Sequence, residues 1–217
     1  MPLEKMNEFF NLRSKSYDNH MLVDLELDAF YREIVKQIDP GKSDFKLLDL
    51  GCGTGIELER LFMKYPNMSA TGIDLSAKML EQLKVKYPDN NIQTVCGSYF
   101  DMPFDKGYDI VLSTYSLHHW NKTEKLPLYK KIYDSVVNGG MFIEGDYTCK
   151  TVEQEQSFQV EFARLRLEEN LQENEFYHFD IPLTAETQMK ILRSVGFSCV
   201  RLIREWENTS IITAKKG

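Results

Sequence analysis

The stretch from Leu47 to Gly55 constrains the fold of this chain more than any other. It reads LLDLGCGTG, an apolar run containing one acid and followed by glycine at three of the last five positions. An apolar run that ends at such glycines is typical of a buried strand that turns tightly into a helix. Glycine tolerates positive φ and lacks a Cβ, so backbone N–H groups there can approach a ligand closely. The stretch therefore predicts a ligand-binding loop between a strand and a helix.

The residues around this loop narrow the class of ligand. The dinucleotide fingerprint G-x-G-x-x-G requires a third glycine, but Ile56 stands at that position here. Asp49 lies just before the glycines, and Glu57 and Glu59 follow them. Carboxylates at the mouth of a pyrophosphate site would repel the anion that a helix N-terminus attracts. They suit a ligand that carries an ammonium group and a sulfonium centre.

Strand-like and helix-like segments alternate along the chain from residue 45 onward. The predicted strands are 45–50, 70–74, 92–96, 108–113, 141–144, 197–206 and 210–214. The predicted helices are 56–65, a helix that Ser76 caps, 122–137, 151–174 and 184–196. Such alternation implies a parallel sheet with right-handed crossovers, which is the α/β class. Glu207 and Asn208 join the last two strands, so these strands are predicted to form an antiparallel hairpin at one edge.

Two further helical regions lie outside this alternation. Residues from about 5 to 40 are predicted to be helical, because apolar residues recur there at spacings of three and four. Asp39-Pro40-Gly41 ends the second of these helices. The segment from Thr151 to Asn174 is strongly helical, and the sheet does not need it. We expect it to lie over the mouth of the site.

Length and composition limit the kind of protein. The chain has 217 residues, a net charge of −7, 42% hydrophobic residues and 27% charged residues, which favours a single soluble globular domain. The acidic balance argues against binding along a nucleic-acid backbone, so nucleic acid is not expected as a partner. The 4 cysteines form no C-x-x-C pair. No apolar run has the length of a signal region or a membrane span, so we expect a cytoplasmic protein without a membrane partner.

The ends of the predicted strands mark the ligand site. Ligands of an open α/β sheet bind beyond the carboxyl ends of its strands. Those ends are Asp49–Gly55, Asp74–Leu75, Gly97–Phe100 and Ser113–His119. Asp74 lies 19 residues beyond Gly55, and a carboxylate there can accept both hydroxyls of a ribose. Asp74 therefore indicates a ligand that contains adenosine, but it does not distinguish a dinucleotide from another adenosine compound.

Taken in order, these stretches resemble the motifs of the class I S-adenosylmethionine (SAM)-dependent methyltransferases. Leu47–Gly55 is similar to motif I, Gly97–Phe104 to the motif after strand three, and Tyr108–Trp120 to motif IV of the small-molecule methyltransferases. The resemblance implies a three-layer Rossmann-like fold whose seven-stranded, mostly parallel sheet carries an antiparallel C-terminal hairpin strand. It also implies one domain, divided into a helical cap 1–41, a cofactor-binding core 42–150, a lid 151–183 and a C-terminal helix and hairpin 184–217.

The same resemblance implies SAM as cofactor and S-adenosylhomocysteine as product. It places Asp49 near the methionine ammonium group, Asp74 on the ribose and Tyr31 near the methionine carboxylate. Ser98 stands where relatives often have an Asp that accepts from adenine N6, and a hydroxyl can also accept. The implied cofactor-binding residues are Tyr31, Asp49, Gly51, Gly53, Gly55, Asp74, Leu75, Ser98, Tyr99 and Ser113.

Two residues after strand four are candidate catalytic residues. His118 is a candidate general base, and Tyr115 is a candidate lining residue of the acceptor site. His119 is interpreted as a structural histidine that bonds the neighbouring backbone. Adjacent histidines are expected to point apart, so no metal site is predicted. Four further residues are candidates to face the acceptor, but the preferred interpretation is a solvated strand end and a loop surface: Glu144, Asp146, Tyr147 and His178.

The motifs predict transfer of the sulfonium methyl group to a small-molecule acceptor by a monomer or a homodimer. Ser113-Thr114-Tyr115-Ser116 stands where an N-P-P-Y-type motif of nucleic-acid amine methylation would follow strand four. The cap and the final hairpin are also similar to the carboxy-SAM synthases of tRNA wobble modification. In those enzymes a lid arginine holds the added carboxylate, and Arg164 or Arg166 would serve here. A non-catalytic SAM-binding module is a third reading, which a pocket filled by Trp120 or by lid aromatics would favour.

Overall fold

A computed structural model describes residues 2–172 and 175–217 of the chain. The strands are β1 Lys46–Leu50, β2 Ser69–Asp74, β3 Ile92–Cys96, β4 Tyr108–Thr114, β5 Val136–Tyr147, β6 Cys199–Glu205 and β7 Thr209–Lys215. The helices are α1 Met6–Arg13, α2 Tyr17–Asn19, α3 Asp28–Gln37, α4 Ile56–Lys64, α5 Ala77–Lys86, α6 Lys122–Ser135, α7 Val152–Glu168 and α8 Ala185–Ser194. No helix within the described ranges is long and apolar enough to cross a membrane.

The strands form one seven-stranded sheet in the order β3-β2-β1-β4-β5-β7-β6. Strands β1 to β5 run parallel to one another, and β7 is antiparallel to both β5 and β6. This confirms the predicted α/β architecture with its antiparallel C-terminal hairpin. The order reverses between β1 and β4, and ligands of such sheets bind beside that point.

Helices cover both faces of the sheet and give the fold three layers. Leu47 belongs to the hydrophobic core that includes Leu58 of α4. Its neighbour Leu48 belongs to the other core, which includes Leu128 of α6. Successive strand residues point to opposite faces, so β1 is apolar on both sides because both sides are buried.

Strand β5 is longer than the sequence predicts. Asn138-Gly139-Gly140 is predicted as a turn before the strand, but β5 already begins at Val136. The pairing with β4 shifts between Tyr108↔Val136 and Ile110↔Met141, so the glycines form a bulge within the strand. A Cβ on Gly140 would lie 2.7 Å from the backbone oxygen of Asp109, which explains glycine at this position.

Helix α7 is shorter than predicted. It begins at Val152, after a capping box in which Thr151 and Gln154 bond each other's backbone. It ends at Glu168, and Asn170 then adopts φ 51°, a left-handed conformation that asparagine tolerates and that stops a helix. The predicted end at Asn174 lies outside the described residues.

The N-terminal region lies over the carboxyl ends of the strands. It is helical as predicted but interrupted, because a π-helical turn at His20–Asp24 separates α2 from α3. Phe30 of α3 packs against Gly145 of β5, where a Cβ would come within 2.6 Å of the Phe30 ring. Lys5 forms an antiparallel bridge with Tyr177. The start of the chain is therefore tied to the segment between α7 and α8.

Candidate functional site

The glycine loop has the geometry that its sequence predicts. Gly51, Gly53 and Gly55 have φ values of 71°, 50° and 73°, and Gly55 is the N-cap of α4. The N–H of Gly51 donates to the carbonyl of Ile73 in β2 at 2.8 Å. A Cβ on Gly51 would lie 2.0 Å from Oγ of Ser116, so no side chain fits there. Both the positive φ values and the lack of room for a side chain therefore require glycine in this loop, and its backbone stays accessible to a ligand.

Two buried carboxyls lie beneath this loop. Asp49 is 0% and Glu57 is 3% exposed. Both carboxylate oxygens of Asp49 and Oε1 of Glu57 have no hydrogen-bond partner in the described part of the chain. Burial raises the pKa of both groups, and Glu57 raises the pKa of Asp49 further. Buried acceptors without donors call for a cationic donor, which fits the ammonium group that the sequence predicts here.

Asp74, at the end of β2, is fixed by the backbone. Its Oδ2 accepts the N–H of Gly53 at 2.8 Å, and its Oδ1 accepts the N–H of Ser76 at 2.7 Å. Each oxygen keeps a second lone pair, and the carboxylate lines a cavity beside the glycine loop, the first cavity. Burial raises the pKa of Asp74 to about 6. This arrangement is suited to accept the two hydroxyls of a ribose.

Aromatic side chains form one wall of the first cavity. Leu75, Ser98 and Tyr99 all line it, as predicted for an adenine site. Tyr99 is held by Trp120, whose Nε1 donates to the Tyr99 hydroxyl at 2.5 Å. The Ser98 hydroxyl accepts the N–H of Phe100 at 3.1 Å and keeps one lone pair for a ligand.

The other predicted cofactor residues lie deeper. Tyr31, with Tyr17 and Glu57, lines a recess of about 200 Å³ beneath the glycine loop, and Gly55 lines it too. Ser113 is fully buried, and its hydroxyl donates to the carbonyl of Leu50 at 2.9 Å. The Ser113 side chain therefore joins β4 to β1.

Sequence reasoning did not find several residues of the first cavity. Phe10 of α1 and Phe176, before α8, lie far apart in sequence, and both line this cavity. They meet because the N–H of Met6 donates to the carbonyl of Phe176 at 2.9 Å. The helical periodicity at Phe10 signals only an apolar face, and Phe176 has no local signal.

A second cavity of about 470 Å³ adjoins the first. Phe10, Tyr17, Tyr115 and His119 line both cavities and so form their common wall. Tyr115 has φ 46°, and its hydroxyl lies 3.3 Å from that of Thr209. The second cavity therefore lies where a second ligand would meet the first.

His118 lines the second cavity and is held by Asp146. The His118 Nδ1 lies 2.5 Å from Oδ1 of Asp146, and Oδ2 of Asp146 accepts the N–H of Leu117 at 2.7 Å. Burial alone would lower the pKa of His118, but the charges of Asp146 and Asp180 outweigh it and raise that pKa to about 9. The interpretation of Asp146 as a solvated strand end is wrong, since it is 1% exposed at the end of a strand that continues past Glu144.

The two adjacent histidines do not point apart. Leu117–His119 is a short 3₁₀ turn, in which successive side chains rotate by a third of a turn rather than by half. The ring centroids of His118 and His119 are therefore only 4.0 Å apart. His119 does bond the backbone as interpreted, with Nδ1 3.1 Å from the carbonyl oxygen of Phe179.

The remaining surface interpretations divide into two groups. Tyr147 and His178 line the second cavity, so the loop-surface interpretation is wrong for them. Glu144 is 1% exposed and accepts from Lys125 at 3.0 Å and from Tyr129 at 2.5 Å, on the face of the sheet that α6 covers. Glu144 is therefore a buried structural residue.

The two lid arginines lie outside both cavities as far as the described residues go. Arg164 pairs with Glu161 and Glu168 on its own helix at 2.6 and 2.5 Å. Arg166 donates to the carbonyl of Gln172 at 2.9 Å. The arginine that lines the second cavity is instead Arg13 of α1.

Comparisons with known proteins agree with this geometry. Residues 47–140 match a family model described as a methyltransferase domain. A carboxy-S-adenosyl-L-methionine synthase of Nautilia profundicola is 25% identical over 238 residues, which cover 99% of this chain and 97% of that protein. A malonyl-[acyl-carrier protein] O-methyltransferase of Priestia megaterium is 25% identical over 136 residues, or 62% of this chain. This chain spans about half of that relative's length, with 48% covered.

Solved structures show the same fold. The DhpI complex with S-adenosylhomocysteine has a TM-score of 0.72 at 17% identity, covering 97% of this chain and 94% of that one. Human N-acetylserotonin methyltransferase in complex with SAM has a TM-score of 0.68 at 16% identity, covering 97% of this chain and 56% of that one. The glycine loop and Asp74 both fall within the matched methyltransferase domain. The chain therefore contains a methyltransferase domain at residues 47–140 and shares the fold of solved SAM-dependent methyltransferases.

Proposed function

We propose that this protein transfers the sulfonium methyl group of SAM to a small-molecule acceptor bound in the second cavity. The observation that carries the proposal is the common wall of the two cavities, formed by Phe10, Tyr17, Tyr115 and His119. A methyl group can pass directly between two ligands only where their sites meet. The second cavity, of about 470 Å³, has room for a small-molecule acceptor.

Residues around the glycine loop would form the binding site of the cofactor. Asp49 and Glu57 would neutralise the ammonium group, Asp74 would accept the ribose hydroxyls, and Ser98 and Tyr99 would flank the adenine. Bound SAM supplies an electrophilic methyl group. The protein therefore mainly has to align the acceptor with that group and exclude water.

The walls of the second cavity indicate the kind of acceptor. Phe9, Tyr115 and Tyr147 provide aromatic surface, and His118 and Asp180 provide a charged group at one side. Such a cavity suits a compact molecule with an apolar body and one polar accepting group. We place Tyr115 and His118 against the acceptor, with Asp146 as the residue that positions His118.

The position of Trp120 argues against a non-catalytic binding module. Trp120 packs against Phe100 and Phe176, with ring centroids 4.6 and 4.9 Å away, in the wall of the first cavity. The second cavity contains neither Trp120 nor a described residue of α7 in its lining. The space for an acceptor is therefore open.

Carboxy-SAM synthesis is the second candidate function, because the Nautilia relative matches almost the full length of both chains. Against it, Arg164 and Arg166 are engaged on the outside of the lid. Mass spectrometry of the small molecule released from the purified protein separates the two functions. Methyl transfer leaves SAM or S-adenosylhomocysteine, whereas carboxy-SAM in the released fraction would establish the alternative.

Titration calorimetry with SAM tests the cofactor seat. We expect the wild type to bind SAM and Asp74→Ala to bind it about 10- to 100-fold more weakly, because hydrogen bonds to a charged group contribute roughly 1.5–3 kcal/mol. Asp89→Ala changes an exposed aspartate. It is the matched control and should bind SAM as the wild type does. Absence of SAM binding, or equal binding by Asp74→Ala, would refute the proposal.

A further inference from the structure

Two imidazoles and one carboxylate converge beside the common wall of the cavities. His118 and His119 come from the turn after β4, and Asp180 comes from the segment between α7 and α8. One potential ligand atom from each lies within 4.8 Å of the others. In residues 2–172 and 175–217, no other group of three or more His, Cys, Asp or Glu side chains meets this spacing. We call these three residues the HHD cluster.

The distances within the HHD cluster are those of metal ligands. Oδ1 of Asp180 lies 3.4 Å from Nε2 of His118 and 3.3 Å from Nδ1 of His119. Charge-assisted hydrogen bonds would be shorter, at about 2.7–2.9 Å. A tetrahedral ion at about 2.0–2.1 Å from nitrogen and oxygen ligands holds them roughly 3.3–3.4 Å apart. The observed spacing therefore leaves room for one ion between the three atoms. His119 would bind it in the tautomer whose Nδ1 carries the lone pair, and would give up its hydrogen bond to the carbonyl of Phe179.

Two buried atoms of the HHD cluster lack partners. Oδ1 of Asp180 is buried and has no hydrogen-bond partner among the residues that the structure describes. The same holds, over the same residues, for Nε2 of His119, whose side chain is 2% exposed. Buried polar atoms are normally satisfied, so Oδ1 of Asp180, which both imidazoles approach only to 3.3–3.4 Å, points to a ligand between them. Nε2 of His119 is not the ring nitrogen that faces Asp180, so its missing partner is separate from this ligand.

A carboxylate outside the HHD cluster, that of Asp146, orients the His118 ring. Asp146 accepts the Nδ1–H of His118 at 2.5 Å and is itself held by the backbone N–H groups of Leu117 and Tyr147 at 2.7 and 2.8 Å. Because Nδ1 keeps its proton for Asp146, Nε2 is the nitrogen of His118 that would lose its proton and present a lone pair to an ion beside Asp180. Carboxylate–histidine–metal arrangements of this kind are typical of protein metal sites. Asp146 and Asp180 together also offset the two charges of a divalent ion.

We propose that His118, His119 and Asp180 bind one divalent transition-metal ion of the Zn²⁺ type beside the acceptor. Two imidazoles and one carboxylate suit Zn²⁺, Co²⁺ and related ions rather than Mg²⁺ or Ca²⁺. Three protein ligands leave a fourth position open for water or an acceptor oxygen.

The ion would give the acceptor cavity a defined chemistry, and this part of the inference rests on the proposed function. As a Lewis acid it makes a hydroxyl acceptor more acidic. The hydroxyl proton leaves to solvent, the new O–CH₃ bond forms, and the S–CH₃ bond breaks with its electron pair remaining on sulfur. His118 then acts on the acceptor through the ion. The acceptor class that follows is a hydroxyl or carboxyl compound.

Cobalt spectroscopy tests the site without any turnover. The full chain is stripped with a chelator and titrated with Co²⁺, and we expect one equivalent to produce the visible absorption of a tetrahedral complex, which Zn²⁺ then removes. Asp180→Asn should abolish the band, and Asp146→Asn should weaken binding about 10- to 100-fold. Asp24→Asn and His20→Ala are matched controls, because they change the same residue types at the second cavity, and both should keep the band.

A second measurement keeps the inference open to refutation if a variant fails to fold. X-ray absorption of the Zn²⁺-loaded wild type should show a four-coordinate ion with two imidazole ligands. No band with the wild type, a band that persists in Asp180→Asn, or a zinc environment without imidazole would each overturn the inference. SAM calorimetry on the same stripped protein tests the cofactor seat separately, so failure of the metal site and failure of the proposed function are distinguishable.

Discussion

At the scale of single residues, buried carboxyls mark both ends of the site. Asp49 and Glu57 lie unpartnered beneath the glycine loop over the described ranges, and Asp146 holds His118 at the second cavity. Charged groups are rarely buried without compensation. These three residues therefore indicate where cationic partners are needed: an ammonium group beneath the glycine loop and an imidazolium or a metal ion at the second cavity.

Asp74 gives SAM binding a pH dependence. Its pKa is raised from 3.8 to about 6 by burial, and only the carboxylate can accept both ribose hydroxyls. Affinity should therefore fall as pH drops through about 6 and be roughly tenfold weaker at pH 5 than at pH 7.5. The stability of the protein without SAM depends on pH in the opposite direction. The pKa of Asp74 is higher in the folded than in the unfolded state, so Asp74 lowers the free energy of unfolding as pH rises from about 4 to about 6.

Calorimetry between pH 5 and 7.5 measures this dependence. Asp49 and Glu57 also titrate near the bound cofactor, so Asp74→Asn serves as the control that isolates one group. We expect the variant to lose part of the pH dependence as well as affinity. An unchanged slope in Asp74→Asn would show that Asp74 is not the titrating group.

At the scale of elements, glycine positions decide where strands end and loops open. Gly51 both adopts a positive φ and faces Ser116, whereas Gly41 has a similar φ of 70° with no described atom within 4 Å of its missing Cβ. Gly41→Ala should cost about 1–2 kcal/mol of stability from backbone strain alone. Gly51→Ala should cost more, because Ser116 must move, and it should also weaken SAM binding.

Urea unfolding and SAM calorimetry on the two variants separate strain from function. Gly41→Ala should keep wild-type SAM affinity, since Gly41 lies outside the lining of both cavities in the described structure. Equal SAM affinity in the two variants would contradict the role assigned to the glycine loop.

The elements also show what local sequence can determine. Asp49 and Asp74 were predictable because parallel strands bring their carboxyl ends to one edge of the sheet. The bulge at Gly139-Gly140 was not predictable from the sequence. These residues favour a turn, and they stay within a strand here only because the strands on both sides pair with it. Pairing with β4 and β7 extends β5 to Tyr147 and so buries Asp146.

At the scale of the whole molecule, the site depends on contacts between distant parts of the chain. Asp180 approaches His118 and His119 from a segment without regular secondary structure, and no periodicity indicates such a meeting. The bridge between Lys5 and Tyr177 likewise brings Phe10 and Phe176 to the first cavity. The fold and the candidate cofactor residues follow from local motifs, whereas the second cavity follows from the path of the chain.

A crystal structure with S-adenosylhomocysteine tests the central claim most directly, because it places the sulfur relative to the two cavities. We expect the ligand in the first cavity, with its ribose hydroxyls on Asp74, its ammonium group beside Asp49 and Glu57, and its sulfur at the common wall near Tyr115. A ligand bound elsewhere, or a sulfur turned away from the second cavity, would contradict the account.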